Sequence, residues 1–204
     1  MKFSQKVSTR TITSVAILSA IAAVLMFLEF SVPLVPSFLK FDFSDFPAIL
    51  ASFAISPVAG VIVELIKNVL HLPFSHTGGV GELANFLVGS ALVLPAGLVY
   101  HFRKTKGGAV IGSAVGAVSA SLVSLPVNLY ITYPFYAVAL FGGSTEMIVD
   151  LYRVILPSVE TLTQALLIFN LSFTFVKGAI CLALTFGAYK HLSPILKGKK
   201  KENR

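Results

Sequence analysis

The stretch KFDFSDFPAILASFAISPVAGVIVELIKNVLH, residues 40–71, combines two apolar segments with charged side chains. Asp42 and Asp45 precede the first apolar segment, a Ser-Pro pair interrupts the run, and Glu64 and Lys67 lie within the second segment. Ionisable side chains are costly inside a bilayer, so in a membrane protein they mark a candidate functional site. This stretch therefore defines where the search for a site begins.

The polar residues of the second segment have two interpretations. Glu64, Lys67 and Asn68 can form a mutually satisfied polar cluster that holds the two apolar segments together. Alternatively, Glu64 and Lys67 can act as a proton relay in a stand-alone secondary transporter. Both interpretations are compatible with the sequence.

The composition of the whole chain is that of an integral membrane protein. Of its 204 residues, 55% are apolar and only 12% are charged. A soluble domain carries about 25% charged residues, which it needs to cover its surface. The net charge of +7 does not indicate nucleic-acid binding, because the basic residues cluster at the ends of apolar segments. Such clusters are typical of membrane topology signals.

We predict an all-α membrane protein, a six-transmembrane-helix bundle in a single domain that covers residues 1–204. The predicted spans are residues 11–32, 46–55, 57–72, 82–102, 107–134 and 161–189. The second and third spans are short and separated by proline, a pattern that points to a binding site in transporters. The segment 141–160 mixes charged and apolar residues and predicts a lid or a short helix.

The positions of the basic residues predict the topology. They cluster in the N-terminal segment, in the loop after the fourth span and in the C-terminal tail. Six spans bring these three regions to one side of the membrane. The positive-inside rule then predicts cytoplasmic N- and C-termini in a multi-pass protein of the plasma membrane.

Small residues recur at four-residue spacing in two of the predicted spans. Ser19 and Ala23 form a flat face on the first span, suited either to internal packing or to close approach of another helix. A longer stripe in the fifth span predicts a helix-packing seam. Its members are Gly108, Gly112, Gly116 and Ala120.

Polar and aromatic residues of the later spans are further candidates for a ligand site. Thr174 and Lys177 are three residues apart and share a helix face. A lysine in a span must pair with an acid, reach water or meet a ligand. Five aromatic residues can stack on a planar ligand or form an interfacial belt. They are Phe41, Tyr130, Tyr133, Phe135 and Tyr136.

The sequence contains no recognisable enzyme motif. The H-E-x-x-H, G-x-S-x-G and Walker patterns are all missing. We therefore predict a binding or transport protein that is not an enzyme and has no ATPase of its own, no cofactor and no metal site.

Four blocks of the sequence resemble a known family. They are FLKFDFSDFPA (38–48), SPVAGVIVELIKNVLH (56–71), TGGVGELANFLVG (77–89) and KGAICLALTFGAYKHLSPILK (177–197). These blocks resemble the substrate-binding S components of energy-coupling factor (ECF) vitamin transporters, and the first three are similar to the riboflavin-binding type. The resemblance extends over about residues 14–197.

This resemblance implies a ligand, partners and a docking face. The ligand is riboflavin, or FMN, and it is transported rather than kept as a cofactor. The implied partners are a coupling transmembrane subunit and two cytoplasmic ATPase subunits, in addition to the lipid bilayer; nucleic acid is not among them. Ala16 and Ala20 match the docking motif of the family's first helix. An S component for a different vitamin and a stand-alone secondary transporter remain the alternatives.

The resemblance also assigns ligand-binding residues. The family's Phe-Asn-x-x-Lys-Gly pattern matches here at Lys177, while Thr174 replaces the asparagine. A hydroxyl has one donor where an amide has two, so we expect rearranged contacts to the ribityl chain, with Asn170 as the substitute one turn earlier. The first outer loop is implied to close over the ligand. The predicted ligand-binding residues are Leu39, Lys40, Phe41, Asn85, Asn128, Tyr133, Asn170, Thr174 and Lys177.

Overall fold

The computed structural model describes the backbone of residues 8–197 and the side chains of residues 8–189. The basic residues predicted to mark the two termini lie largely in residues 1–7 and 190–204, outside the described side chains. The described part is mostly helical. Its α-helices are α1 (Thr9–Phe27), α2 (Asp45–Ala54), α3 (Pro57–His71), α4 (Val80–Phe102), α5 (Lys106–Val127), α6 (Tyr133–Leu140), α7 (Thr145–Arg153), α8 (Leu162–Ala165) and α9 (Leu171–Lys197).

Two π-helical turns join pairs of these helices into longer continuous helical stretches. Asn128–Thr132 connects α5 to α6, and Leu166–Asn170 connects α8 to α9. A short 3₁₀ helix, Leu72–Phe74, follows α3. Two short strands, β1 (Phe30–Ser31) and β2 (Lys40–Phe41), pair antiparallel in the loop before α2.

Five helical stretches within residues 8–189 are long and apolar enough to cross a membrane. They are Thr9–Phe27, Pro57–Phe74, Val80–Phe102, Lys106–Leu140 and Leu162–Tyr189. The helix Asp45–Ala54 is apolar but shorter. A short helix can occupy the centre of a membrane bundle when its neighbours cover it, and Ile49, Leu50 and Phe53 of α2 are almost fully buried.

Three helix ends differ clearly from the predicted spans, and one of them is that of α9, which continues to Lys197 rather than ending at residue 189. The helix α1 ends at Phe27 rather than continuing to residue 32, because the chain then turns and forms β1, which pairs with β2. The fifth span continues beyond residue 134 to Leu140. Pro134 lies in the first turn of α6, directly after the π-helical turn Asn128–Thr132, and does not end the helical stretch.

The small-residue stripe of α5 packs against α4, which confirms the predicted seam. A Cβ added at Gly112 would lie 2.6 Å from the backbone oxygen of Ala96, and one at Gly116 would lie 2.6 Å from that of Leu92. Only glycine permits this approach between the two backbones. The seam fixes α4 against α5.

The small residues of α1 divide between two faces. Ser19 and Ala23 are buried, so this pair serves internal packing. Ala16 and Ala20 are exposed on the other side of the helix, beside the exposed side chain of Ile17. The face that bears Ala16 and Ala20 is therefore open within the described part of the chain.

Candidate functional site

The candidate site is a cavity of about 450 Å³ lined mainly by α4, α5, α6, α9 and the loop that contains β2. This volume lies within the range of small-molecule sites. From α4 the cavity receives residues of the first half of the helix, such as Asn85 and Val88. From α5 it receives residues near the end, such as Ala120 and Ser124. The cavity therefore lies at the end of these helices that is remote from the α4–α5 connection.

The structure brings most of the predicted ligand-binding residues to this cavity. Eight of them line its wall: Leu39, Lys40, Asn85, Asn128, Tyr133, Asn170, Thr174 and Lys177. Phe41 is the exception. Neighbouring residues of a strand point to opposite faces, and Phe41 is buried where its ring contacts Phe30, Phe43 and Phe173. Phe41 thus supports the wall residue Phe173 from behind.

Charged side chains form a continuous network beside the cavity. The Lys177 Nζ lies 2.8 Å from Asp42 Oδ2 and 3.5 Å from Asp45 Oδ2. The Lys67 Nζ lies 2.5 Å from Asp45 Oδ1 and 2.8 Å from Glu64 Oε2. We call these five residues the ion network. It contains three carboxylates and two ammonium groups, and Asp45 links the two lysines.

Local sequence features place the members of the ion network. The Asp42 Oδ1 accepts a 2.7 Å hydrogen bond from the backbone N–H of Ser44, which fixes the loop just before α2. The Lys67 Nζ also donates to the Ser44 hydroxyl over 2.8 Å. Gly89 of α4 leaves room for Glu64, because a Cβ at position 89 would collide with the Glu64 carboxylate.

The contacts of α3 favour the polar-cluster interpretation of its charged residues. The side chains of Glu64 and Lys67 are fully buried, and Lys67 connects α3 to α2 through Asp45. The Asn68 amide donates to the backbone oxygen of Glu64 over 2.8 Å and to Asn85 Oδ1 over 3.4 Å. These groups hold α2, α3 and α4 together, but the cluster is not fully satisfied, since Glu64 Oε1 and Asn68 Oδ1 are buried without a hydrogen-bond partner among the described residues.

A second polar cluster is neutral and joins three distant segments. The Tyr152 hydroxyl of α7 donates to Asn170 Oδ1 over 2.7 Å, and Asn170 Nδ2 donates to the Tyr133 hydroxyl over 2.8 Å. The hydroxyl groups of Tyr133 and Tyr152 are also hydrogen-bonded to each other. We call these three residues the tyrosine–asparagine ring. Burial raises the pKa of Tyr152, so its hydroxyl stays protonated.

Two predicted ligand contacts have no hydrogen-bond partner among the described residues. Within residues 8–189, the Asn128 amide and the Thr174 hydroxyl line the cavity without a hydrogen bond to another side chain or to the backbone. Lys177 and Asn170 also line the cavity but already contact protein groups. The groups of Asn128 and Thr174 are therefore the ones most available to a ligand.

Glu82 was not among the predicted ligand-binding residues, but it lines the cavity. The Glu82 carboxylate, one turn from Asn85, is 2.8 Å from His71 Nδ1 and accepts a 2.7 Å hydrogen bond from the Ser75 hydroxyl. Gly78 and Gly79 have positive φ angles, which shape the turn before α4. The proximity of Glu82 to Asn85 in the sequence was the signal that could have indicated this group.

The aromatic candidates divide between the cavity and the outer surface. Tyr133 and Tyr136 line the cavity, together with Phe38 from the loop. Tyr130 is 75% exposed and Phe135 is 37% exposed, as expected for residues that face lipid or its interface. The part of the chain with described side chains contains no group of three His, Cys, Asp or Glu residues that could hold a metal ion.

Comparisons with known proteins agree on one family. A model of the family "ECF transporter, substrate-specific component" matches residues 10–189. The chain is 38% identical to the riboflavin transporter RibU of Staphylococcus aureus, over 66% of this chain and 71% of the relative. It is also 38% identical to the riboflavin transporter FmnP of Bacillus subtilis, over 60% of this chain and 66% of the relative.

A solved structure, that of the S component of a bacterial ECF transporter, has the same fold. Its sequence is 29% identical to this chain. The two structures superpose with a TM-score of 0.71, over 92% of this chain and 98% of the other.

Proposed function

The chain belongs to the family of ECF transporter substrate-specific components, and we propose that it captures riboflavin outside the cell for ATP-driven uptake. In this function it is a membrane-embedded binding subunit rather than an enzyme. The relatives named as riboflavin transporters support the choice of ligand. Riboflavin enters here as the transported ligand and has no role as a cofactor.

The unpartnered groups of the cavity carry this proposal. Riboflavin combines a planar ring with a chain of hydroxyl groups, so its site needs apolar rings and unsatisfied hydrogen-bonding groups. Phe38, Tyr133 and Tyr136 supply rings at the wall. The amide of Asn128 and the hydroxyl of Thr174 supply donors and acceptors without partners among the described side chains. Each can bind the ribityl chain or the edge of the flavin ring.

The charges of the wall favour riboflavin over FMN. Four carboxylates and two lysines line the cavity: Glu29, Asp42, Asp45, Glu82, Lys40 and Lys177. Lys177 lies between two aspartates, and the Lys40 ammonium group donates to the Ser31 hydroxyl over 3.1 Å. A phosphate would therefore face more negative than positive charge, which costs binding free energy. We expect FMN to compete weakly.

The cavity opens outward in the topology that we propose. With α2 counted as a span, the chain crosses the membrane six times and both termini are cytoplasmic. The α4–α5 connection contains the exposed residues Arg103 and Lys104, and the exposed Lys106 begins α5; the positive-inside rule assigns these three residues to the cytoplasm. Because the cavity lies at the other end of α4 and α5, it faces the outside, with the loop of Leu39 and Lys40 as its gate.

The exposed small-residue face of α1 is the proposed contact with the transport machinery. Ala16 and Ala20 leave a shallow surface on which a helix of the coupling transmembrane subunit can pack closely. That subunit in turn joins the two cytoplasmic ATPase subunits. The membrane-embedded chain supplies the ligand, and the ATPases supply the energy for its release inward.

Riboflavin uptake tests this function when it is measured with and without the partner subunits. We expect cells that express the chain with the coupling subunit and both ATPases to accumulate riboflavin, and cells that lack the ATPases to accumulate none. Uptake that persists without ATPases and follows the proton gradient would instead indicate a secondary transporter. Competition by another vitamin, with no effect of excess riboflavin, would indicate a different ligand.

Substitution of the α1 face separates binding from transport. The double variant Ala16→Leu/Ala20→Leu should bind riboflavin with unchanged affinity but lose assembly with the coupling subunit and uptake. Ala114→Leu, at an exposed position of α5, is the matched control and should retain both. Intact assembly of the double variant would exclude this face as the docking site.

A further inference from the structure

We propose that Tyr152, on the outer helix α7, is a positioning residue that sets how tightly the cavity holds its ligand. Tyr152 does not line the cavity, but Tyr133 and Asn170 do. Its hydroxyl contacts both of them. This inference rests on the proposed binding of riboflavin and concerns the residues behind the wall of that site.

The donors and acceptors of the tyrosine–asparagine ring determine its direction. Each tyrosine hydroxyl has one proton to donate. Tyr152 gives its proton to Asn170 Oδ1, and Asn170 Nδ2 donates to Tyr133. The Tyr133 proton is then directed at the Tyr152 oxygen, which closes the ring. Every member donates once and accepts once, and such cyclic arrangements strengthen each bond.

Burial makes this ring dependent on all three members. Tyr152 is 0% exposed, and Tyr133 and Asn170 are each 1% exposed. Water cannot replace a missing hydroxyl group at these positions without rearrangement of the packing. Removal of one hydroxyl therefore leaves buried polar groups of the cavity wall unpaired, and they will turn to other partners.

Two members of the ring lie at the π-helical turns. Asn170 is the last residue of the second π-helical turn, and Tyr133 directly follows the first. A π-helical turn inserts an additional residue and changes the direction of the side chains that follow, and such turns are frequent at functional sites. The first turn also supplies Asn128 and Thr132 to the cavity wall. The ring connects both irregular turns to each other and to α7.

The Tyr152 side chain also contacts the loop that contains Phe38 and lines the cavity. The ring centroid of Phe38 lies 5.8 Å from that of Tyr152 and 5.9 Å from that of Tyr133, with edge-to-face geometry in both pairs. Phe38 directly precedes Leu39, and both line the cavity. Tyr152 thus holds two parts of the wall: the π-helical turns through its hydroxyl and the loop through its aromatic ring.

The variant Tyr152→Phe tests this role, because it removes the hydroxyl and keeps the ring that contacts Phe38. We expect the dissociation constant for riboflavin to increase about tenfold, mainly through faster dissociation, the effect of one lost buried hydrogen bond. The absorption band of the bound flavin should change shape because the wall beside it has shifted. Tyr130→Phe, at the 75% exposed tyrosine, is the matched control and should behave as the wild type.

A double-mutant cycle tests whether Tyr152 affects riboflavin binding through the tyrosine–asparagine ring. If Tyr152 acts through the ring, Tyr133→Phe added to Tyr152→Phe will weaken binding by less than the product of the two single effects. Independent effects that multiply would contradict the proposal. If Tyr152→Phe cannot be purified in folded form, Tyr133→Phe breaks the same ring, and unchanged affinity and flavin spectrum in that variant would also contradict it.

The outcomes separate this inference from the proposed function. A wild-type protein that does not bind riboflavin refutes the function. The inference alone is refuted if the wild-type protein binds riboflavin and Tyr152→Phe has a lower melting temperature but the same dissociation constant and flavin spectrum. In that case the ring would have a purely structural role.

Discussion

The ion network and the tyrosine–asparagine ring both connect the cavity wall to residues behind it, but their chemistry differs. The ion network joins α2, α3, α9 and the loop before α2 through full charges. The ring joins α6, α7 and the second π-helical turn through neutral groups. Both clusters are buried, so in both of them the loss of any one partner costs free energy.

The two clusters differ in the free-energy cost of removing one member. A buried charge without its partner keeps its full desolvation cost, about 3–5 kcal/mol. A buried hydroxyl or amide without its partner costs about 1–3 kcal/mol and can rotate towards another group. We therefore expect substitutions in the ion network to affect folding, and substitutions in the ring to affect mainly the geometry of the site.

The largest effect should come from Lys67, the fully buried lysine of the ion network. Lys67→Met leaves Asp45 and Glu64 buried without this cation, and we expect the free energy of unfolding to fall by about 3–5 kcal/mol. Thermal unfolding of the purified protein measures the change. Glu64→Gln is the matched control: it removes the additional carboxylate and leaves two lysines with two aspartates, so it should be tolerated. Equal stability of Lys67→Met and the wild type would show that the network is not required for folding.

The next largest effect should come from Lys177, which pairs with two aspartates and lines the cavity. Lys177→Met leaves Asp42 without its cation, but Asp45 keeps Lys67. We expect a folded protein, less stable by about 3 kcal/mol because a buried carboxylate has lost its cation, with weaker flavin binding because the wall has lost its fixed geometry. Calorimetry and a riboflavin titration measure the two changes.

The double variant Asp42→Asn/Lys177→Met is the control for charge imbalance. It should regain part of the stability, because the amide no longer needs a cation. Unchanged riboflavin affinity in Lys177→Met would remove Lys177 from the ligand site and limit it to a role in folding.

A smaller effect is expected at the glycine that makes room for the network. In Gly89→Ala the new Cβ would overlap the Glu64 carboxylate, so Glu64 must move. We expect a loss of about 1–3 kcal/mol in stability and weaker binding, because Gly89 also lines the cavity. Gly187→Ala is the matched control on α9, since a Cβ there meets no atom within 4 Å. Wild-type behaviour of Gly89→Ala would mean that Glu64 has another position available.

The smallest effect on folding should come from the neutral ring. Tyr152→Phe removes one hydroxyl, and we expect the free energy of unfolding to fall by only about 1 kcal/mol. Chemical unfolding of this variant and of Lys67→Met in the same detergent compares the two clusters directly. A loss for Tyr152→Phe as large as that for Lys67→Met would contradict the distinction between charged and neutral clusters.

Local patterns in the sequence predicted the helices and their packing. Apolar segments and proline positions identified where helices lie, and the spacing of Gly112 and Gly116 identified the α4–α5 seam. The end of α1 was not predictable in this way. It depends on the pairing of β1 with β2, which is a contact between segments rather than a property of either one.

Residues of the site could be identified, but not their partners. The resemblance to S components identified Lys177, yet its pair with Asp42 joins residues 135 positions apart and exists only in the folded bundle. Asn170 has the spacing of a substitute for the family's asparagine, but its amide is engaged by two tyrosines. Tyr152 belongs to no motif, and the π-helical turns that bring Tyr133 and Asn170 together interrupt the regular helical period.

The absorption spectrum of the purified protein tests the central claim most directly. The chain would be expressed in cells that contain flavins, purified in detergent, and its bound flavin quantified against protein. We predict a yellow protein with about one flavin per chain. The reason is that, within residues 8–189, the predicted site residues gather at a single cavity. A colourless protein that also leaves added riboflavin unbound would contradict the account, while the helical bundle itself would stand.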